Sequence, residues 1–175
     1  TEKYNASNVS LEQILSYIKS GEIAIPEIQR PFVWKPRQVR DLIDSLYMGY
    51  PTGYLIISQS PDMGLKDGSM SIGKKIMIDG QQRVTALMTS IVGLEVLGSD
   101  FKKRRIKIAF NPQASVENDE EVFKVQDNAV LKDKKWISDI AEQFKPDFDQ
   151  WEFVNEYCQQ NPDVNGSQMN KILMR

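Results

Sequence analysis

The five residues Asp79-Gly80-Gln81-Gln82-Arg83 bring a carboxylate, a glycine, two amides and a guanidinium to one junction. Before them, Lys75-Ile76-Met77-Ile78 has the length and composition of a strand. After them, Val84, Leu87, Met88, Ile91 and Leu94 recur at helical spacing, so the junction is predicted to open a helix. At a helix start the first backbone N–H groups lack intrahelical partners and the dipole is positive, a combination that attracts anions. Gly80 admits a close backbone approach, and Arg83 in the first turn could clamp a phosphate bidentately. Asp79 could hold a divalent cation or orient a water, while Gln81 and Gln82 could bond a base, a sugar or that water. The plain alternative is a helix-capping Asp79 followed by a solvated Arg83.

A second set of candidates lies in Gln29-Arg30-Pro31-Phe32-Val33-Trp34, where two prolines, Pro26 ahead of it and Pro31 within it, stiffen a loop carrying a cation and two ring faces. Arg30, Phe32 and Trp34 suit stacking on a base or a cation–π contact; the alternative is that the two rings anchor the loop in the core and Arg30 pairs with an acid such as Asp44. The stretch from Gly68 to Lys75 approaches a phosphate-loop signature, but Lys75 stands where a Ser or Thr would hold Mg²⁺, and the stretch runs into a strand rather than a helix. Lys102-Lys103-Arg104-Arg105 reads as a solvated strand edge that discourages aggregation. Asp41 and Asp44 read as surface acids, Glu117 to Glu121 as an inert acidic loop, and Cys158 as packing in an aromatic helix.

The elements that must position these residues follow from periodicity. Ser10 with Gln13 forms a capping box, and Leu11, Ile14, Leu15 and Ile18 make one face of a helix that Gly21 stops. Glu22–Pro26 reads as a short strand. Pro36 opens a second helix with Val39, Leu42, Ile43 and Leu46 on one face and Gly49 at its end. The continuous apolar run Tyr54–Ile57 predicts a strand buried on both faces, and a loop spans about Pro61 to Gly73. Arg105–Phe110 alternates as a half-exposed strand, with Val122–Val125 as its hairpin partner. Beyond Asp127 the pattern turns helical through Trp136, Ile137, Ile140 and Phe144, then Trp151, Val154 and Tyr157. The sum is an α/β (α+β) fold with a small mixed sheet, divided into residues 1–125 and a helical extension over 126–175.

Composition sets the outer limits. The chain has 175 residues, 41% hydrophobic and 26% charged, enough to build a core. It contains no histidine, which excludes Ser-His-Asp triads, histidine-ligated zinc and HNH nuclease chemistry from these residues. One cysteine forbids an internal disulfide. The net charge of −2 argues against a DNA binder held by bulk electrostatics. No signal-like segment opens the sequence and no apolar run is long enough to span a membrane, so a cytoplasmic location is expected. The apolar-periodic ending at Lys171–Arg175 suggests an N-terminal fragment of a longer protein.

Three blocks together resemble a known family: Ile25-Pro26-x-x-Gln29-Arg30-Pro31-Phe32-Val33-Trp34; Leu42-Ile43-Asp44-Ser45-Leu46 with Gly49-Tyr50-Pro51-x-Gly53; and Ile78-Asp79-Gly80-Gln81-Gln82-Arg83-Val84-Thr85-Ala86-Leu87. In order and spacing they are similar to the N-terminal domain of the GmrSD family over roughly residues 10 to 110. The resemblance implies a ParB/sulfiredoxin-like fold and a role in prokaryotic defence, in which modified foreign DNA is recognised and restricted. It implies a nucleotide that is bound and hydrolysed, with Asp79, Gly80, Gln81, Gln82 and Arg83 as the nucleotide site; a nucleoside triphosphate with Mg²⁺ is the ligand expected there. Asp79, Gln81, Gln82 and Arg83 would serve hydrolysis, with Asp79 toward the metal. Gln29 and Arg30 would form a neighbouring wall, and Phe32 and Trp34 a DNA-facing pocket. A nuclease domain of HNH type is expected C-terminal to these residues. Sulfiredoxin activity is not expected, because Gln81 and Gln82 stand where that branch has its cysteine. A different reading makes the chain a non-catalytic reader of modified DNA working through the Gln29–Trp34 loop.

Overall fold

Ser10 and Gln13 cap helix α1 (Leu11–Lys19) reciprocally: the Gln13 amide N–H donates to Ser10 Oγ at 3.2 Å, and the Ser10 N–H donates to Gln13 Oε1 at 3.1 Å. This is the predicted capping box, and it turns Ile14 and Leu15 into the core. The computed structural model describes residues 4–25, 31–59 and 75–174. It divides into two units, Thr1–Arg30 with Gly53–Val84, and Pro31–Thr52 with Thr85–Arg175.

In the first unit, α1 packs on β1 (Ile23–Ala24), which pairs in parallel with β3 (Lys75–Asp79). On its other side β3 pairs antiparallel with β2 (Ile56–Gln59), giving the order β1-β3-β2. The central strand is the buried one: Ile76 and Met77 are fully enclosed. Tyr54–Ile57, expected to be buried on both faces, is instead the approach to an edge strand. Tyr54 is 84% exposed and Ile56 53% exposed, because β2 bonds to a neighbour on one side and its register shifts between Ile56 and Ile57.

Helix α3 (Gln81–Ser90) leads from the first unit into the second. Val84, Leu87 and the following Ile91 are buried as expected, but the helix ends at Ser90 and Leu94 is exposed. The end is held by side chains: the Ser90 hydroxyl donates to the Ala86 carbonyl at 2.7 Å, and Thr89 Oγ1 accepts the Ile106 N–H at 2.9 Å.

In the second unit α2 (Pro36–Tyr47) begins at its proline, buries Val39, Leu42 and Ile43, and is followed by Gly49 at φ +73°. It packs on β7 (Phe123–Val125), which forms the predicted antiparallel hairpin with β6 (Ile108–Phe110). Tyr47, Phe110 and Phe123 close this contact, with ring centroids 5.1 to 5.7 Å apart. Of the strand expected over 105–110 only its second half, β6, is formed. β4 (Val96–Leu97) pairs with β5 (Lys103–Arg104), which ends there, and β6 begins at Ile108. Nor is β6 half-exposed, since Ile108, Ala109 and Phe110 are all buried, with β7 on one edge and an Ile137 bridge on the other.

That bridge also changes the expected helix through Trp136 and Phe144. Helix α4 (Asn128–Lys132), capped by Asp127, is short; Ile137 is drawn into extended pairing with Phe110, with N···O distances of 2.8 and 2.9 Å. A 3-10 turn over Ile140–Phe144 follows, then α5 (Gln150–Gln160) and α6 (Gly166–Leu173). The result is an α+β fold with small mixed sheets, as expected, and residues 126–174 share a unit with 85–125. Among the described residues no helix is long and apolar enough to cross a membrane.

Polar side chains tie the C-terminal helical region to Arg105, ahead of β6, and to Gln113 in the hairpin loop. Asp139, 6% exposed, pairs with Arg105 at 2.7 Å and caps the 3-10 turn through the Ala141 N–H. Tyr157 donates its hydroxyl to the Lys135 carbonyl at 2.6 Å and accepts from Gln113 at 2.8 Å. Removing Asp139 leaves Arg105 uncompensated, so Asp139→Ala is expected to lower stability by about 3–5 kcal/mol in urea unfolding. Burial pushes the Tyr157 phenol above its ordinary value, against the bond from Gln113. The folded state therefore holds that proton more tightly than the unfolded state. Stability is expected to be intact below about pH 10, the ordinary tyrosine value, and to fall as pH rises beyond it. Tyr157→Phe should flatten this alkaline slope in a pH series of unfolding curves.

Candidate functional site

The Asp79–Arg83 turn stands where the sequence placed it, between a buried strand and a helix. The Val84 N–H donates to the Gly80 carbonyl at 3.0 Å, which makes Gly80 the cap position. Asp79 therefore lies one residue ahead of the cap and is not the capping residue of the plain alternative. Its carboxylate is 68% exposed and 3.7 Å from Arg83 Nη2.

Gly80 is buried and takes φ +91°, a conformation that L side chains rarely adopt. A β-carbon there would lie 2.3 Å from Leu55 Cδ2 and 3.3 Å from Arg83 Nη2. Gly53 has the same φ, and a β-carbon on it would meet Arg83 Nη1 at 2.6 Å. The two glycines thus make room for one guanidinium. Arg83 Nη2 donates to the Tyr54 carbonyl at 2.7 Å, so the arginine ties the approach to β2 to the turn after β3. Arg83 is not the solvated side chain of the plain alternative: its side chain is 20% exposed.

Gln81 is engaged in the same way, its amide donating to the Met77 carbonyl at 2.8 Å. Gln82 is half-buried in the first turn of α3. The five residues accordingly divide. Gly80, Gln81 and Arg83 build the turn, and Asp79 is its exposed charge. Among the described residues no group of three or more His, Cys, Asp or Glu side chains could hold a metal.

Gln29 and Arg30 lie outside the described residues, as do Pro26 and the phosphate-loop-like stretch up to Lys74; Lys75 begins β3 as predicted. Phe32 and Trp34 belong to the second unit. Phe32 is a core residue, 3% exposed, whose N–H donates to the Leu97 carbonyl at 3.1 Å and which bridges Gly98. Its ring face is not offered to a base, whereas Trp34 is half-buried. The basic run is split: Arg105 pairs with Asp139, Arg104 approaches Asp100 at 3.7 Å, and Lys102 and Lys103 are exposed. Asp41 pairs with Arg40 at 2.8 Å, Glu121 with Lys124 at 2.8 Å, and Cys158 is a partly buried thiol on α5. Missing from the sequence reading of this site were Tyr54 and Leu55. The signal that could have found them is Pro51-x-Gly53, a turn glycine directly before the apolar run.

With this geometry in place, the comparison with protein families is decisive. The family model described as GmrSD restriction endonuclease, N-terminal domain, matches residues 11–171. The chain belongs to this family. The match runs from the first turn of α1 into α6, so the GmrSD-type domain includes the C-terminal helices as well as the Asp79–Arg83 turn. No curated protein matches the chain.

Gly80→Ala tests the turn directly. The Leu55 methyl can rotate away from a new β-carbon, so the positive φ carries most of the cost, about 1–3 kcal/mol. Urea unfolding should show nearly the same loss for Gly80→Ala in wild type and in a Leu55→Ala background; a loss that disappears in the Leu55→Ala background would assign the cost to the clash.

Proposed function

We propose that this GmrSD-type N-terminal domain is the nucleotide-responsive, NTP-hydrolysing regulatory part of a protein that restricts modified foreign DNA. The observation that supports it best is the Asp79 carboxylate, exposed beside the N-terminus of α3 and held there by a turn that two positive-φ glycines and Arg83 fix. The first N–H groups of α3 would receive the phosphates. The donor set fits a cation that arrives with the nucleotide: Mg²⁺ commonly uses one or two carboxylates with substrate phosphates completing its shell, and Asp79 supplies one. When bound, the cation would neutralise phosphate charge. Asp79 would orient it and Gln82 would position the attacking water. Arg83 acts on this reading mainly as a positioning residue, because its guanidinium already holds the Tyr54 carbonyl. Gln81, bonded to Met77, does the same for the strand end. The nuclease chemistry belongs to a partner domain, since a chain without histidine cannot supply an HNH centre.

The rival reading, a non-catalytic reader of modified DNA, rests on Trp34 within the described part of its loop, because Phe32 is enclosed in the core. A thermal-shift and phosphate-release screen of ATP, GTP, CTP and UTP with Mg²⁺ separates the two. Wild type should be stabilised by one of them, by about 2.7 kcal/mol at a hundredfold excess over Kd. Asp79→Asn, exposed and therefore expected to fold, should lose the Mg²⁺-dependent part. Absence of any shift in wild type, with modified-DNA binding lost in Trp34→Ala, would replace the nucleotide reading with the reader.

A further inference from the structure

Away from the Asp79 turn, the second unit contains a cleft of about 650 Å³ lined by α4, the 3-10 turn after Asp139 and α5. One wall is aromatic. The rings of Phe148 and Phe153 lie 5.4 Å apart, and those of Phe153 and Tyr157 6.2 Å, a ladder that starts just ahead of α5 and continues along it. Trp136 also lines the cleft, and its ring already carries a cation, Lys124 Nζ at 5.3 Å from the centroid.

The charge around these rings is one-sided: seven carboxylates line the cleft against two lysines. Local pairing removes part of that charge. Asp139 meets Arg105, Asp133 meets Lys135, and Glu142 meets Lys145. Asp147, Glu152 and Glu156 make no ion pair among the described residues, and all three are exposed. The Lys145 ammonium is raised above its ordinary value mainly by its bond to Glu142, with a smaller contribution from Asp147. A concave surface with aromatic walls and unpaired carboxylates focuses a negative potential. Phosphates of DNA are repelled from it. Guanidinium groups suit it best, because a planar cation can stack on a ring face while donating in a fork to a carboxylate. The volume is within the usual range for binding sites, about 300–1,000 Å³, and suffices for a few side chains.

We propose that this cleft receives an arginine-bearing basic segment of a partner polypeptide. The occupant is set by charge complementarity with Asp147, Glu152 and Glu156 and by the half-buried rings of Phe148 and Phe153, while Tyr157 is buried and supports them from the core side of α5. The site is independent of the nucleotide reading, since every residue in it lies in the second unit.

The test is fluorescence anisotropy of a labelled peptide alternating arginine with serine, titrated with the 175-residue chain. Its lysine counterpart and spermine serve as competitors. The arginine peptide should bind saturably at one per chain and more tightly than the lysine peptide, and weaken with salt. The double variant Asp147→Asn/Glu156→Gln should weaken it about five- to tenfold, as two partly screened ion pairs would. Circular dichroism should leave the fold of this variant unchanged, because both side chains are exposed. Equal binding by the variant, equal binding of lysine peptide or spermine, or no saturable binding would each overturn the proposal.

Discussion

Arg83 and the Tyr54 carbonyl, 2.7 Å apart, form the contact on which the candidate site depends. The bond links residues that are 29 apart in sequence and fixes the approach to β2 against the turn that leaves β3. A guanidinium can lie there only because Gly53 and Gly80 have no β-carbons, and both adopt a backbone conformation that other residues resist. The same guanidinium faces Asp79 and keeps an exposed carboxylate beside the first turn of α3. Strand, turn and helix start are thus held by one side chain whose charge is permanent.

This arrangement gives the Asp79–Arg83 turn a division of labour. A motif rich in polar residues invites the view that each one touches a ligand. In the structure Gln81 and Arg83 bond to backbone carbonyls, and Gly80 is an enclosed spacer. Asp79 is the member that solvent reaches most freely. Gly80, Gln81 and Arg83 thus shape the turn, and their removal would disturb it whether or not they touch a ligand.

The second unit shows a comparable economy of contacts. The Ile137–Phe110 bridge attaches the C-terminal helical region to the β6–β7 hairpin and the Asp139–Arg105 pair ties it to the segment leading into β6, while Tyr47, Phe110 and Phe123 attach α2 to the same hairpin. The family match over 11–171 agrees with this continuity. The acidic, aromatic cleft lies in this region, lined by residues of α4, the 3-10 turn and α5.

Local signals were legible where they are strong and short-range. The Ser10–Gln13 capping box, Pro36 at the start of α2, Gly49 after it, the β6–β7 hairpin and the strand–Asp-Gly–helix junction all follow from residue type and spacing. So does the family, through three blocks in fixed order. What tertiary structure decided were the properties that depend on a neighbour distant in sequence. An apolar run does not say whether its strand is central or at an edge, and Tyr54–Ile57 met a partner on one side only. Helical periodicity around Trp136 could not anticipate that Phe110 would claim the Ile137 backbone. Likewise, the composition of the motif offered Arg83 as a phosphate clamp, but its partner became Tyr54, whose carbonyl reaches the guanidinium only after two strands have paired. Hydrogen bonds formed across long separations override propensity because an unpaired buried polar group costs more than a changed local conformation.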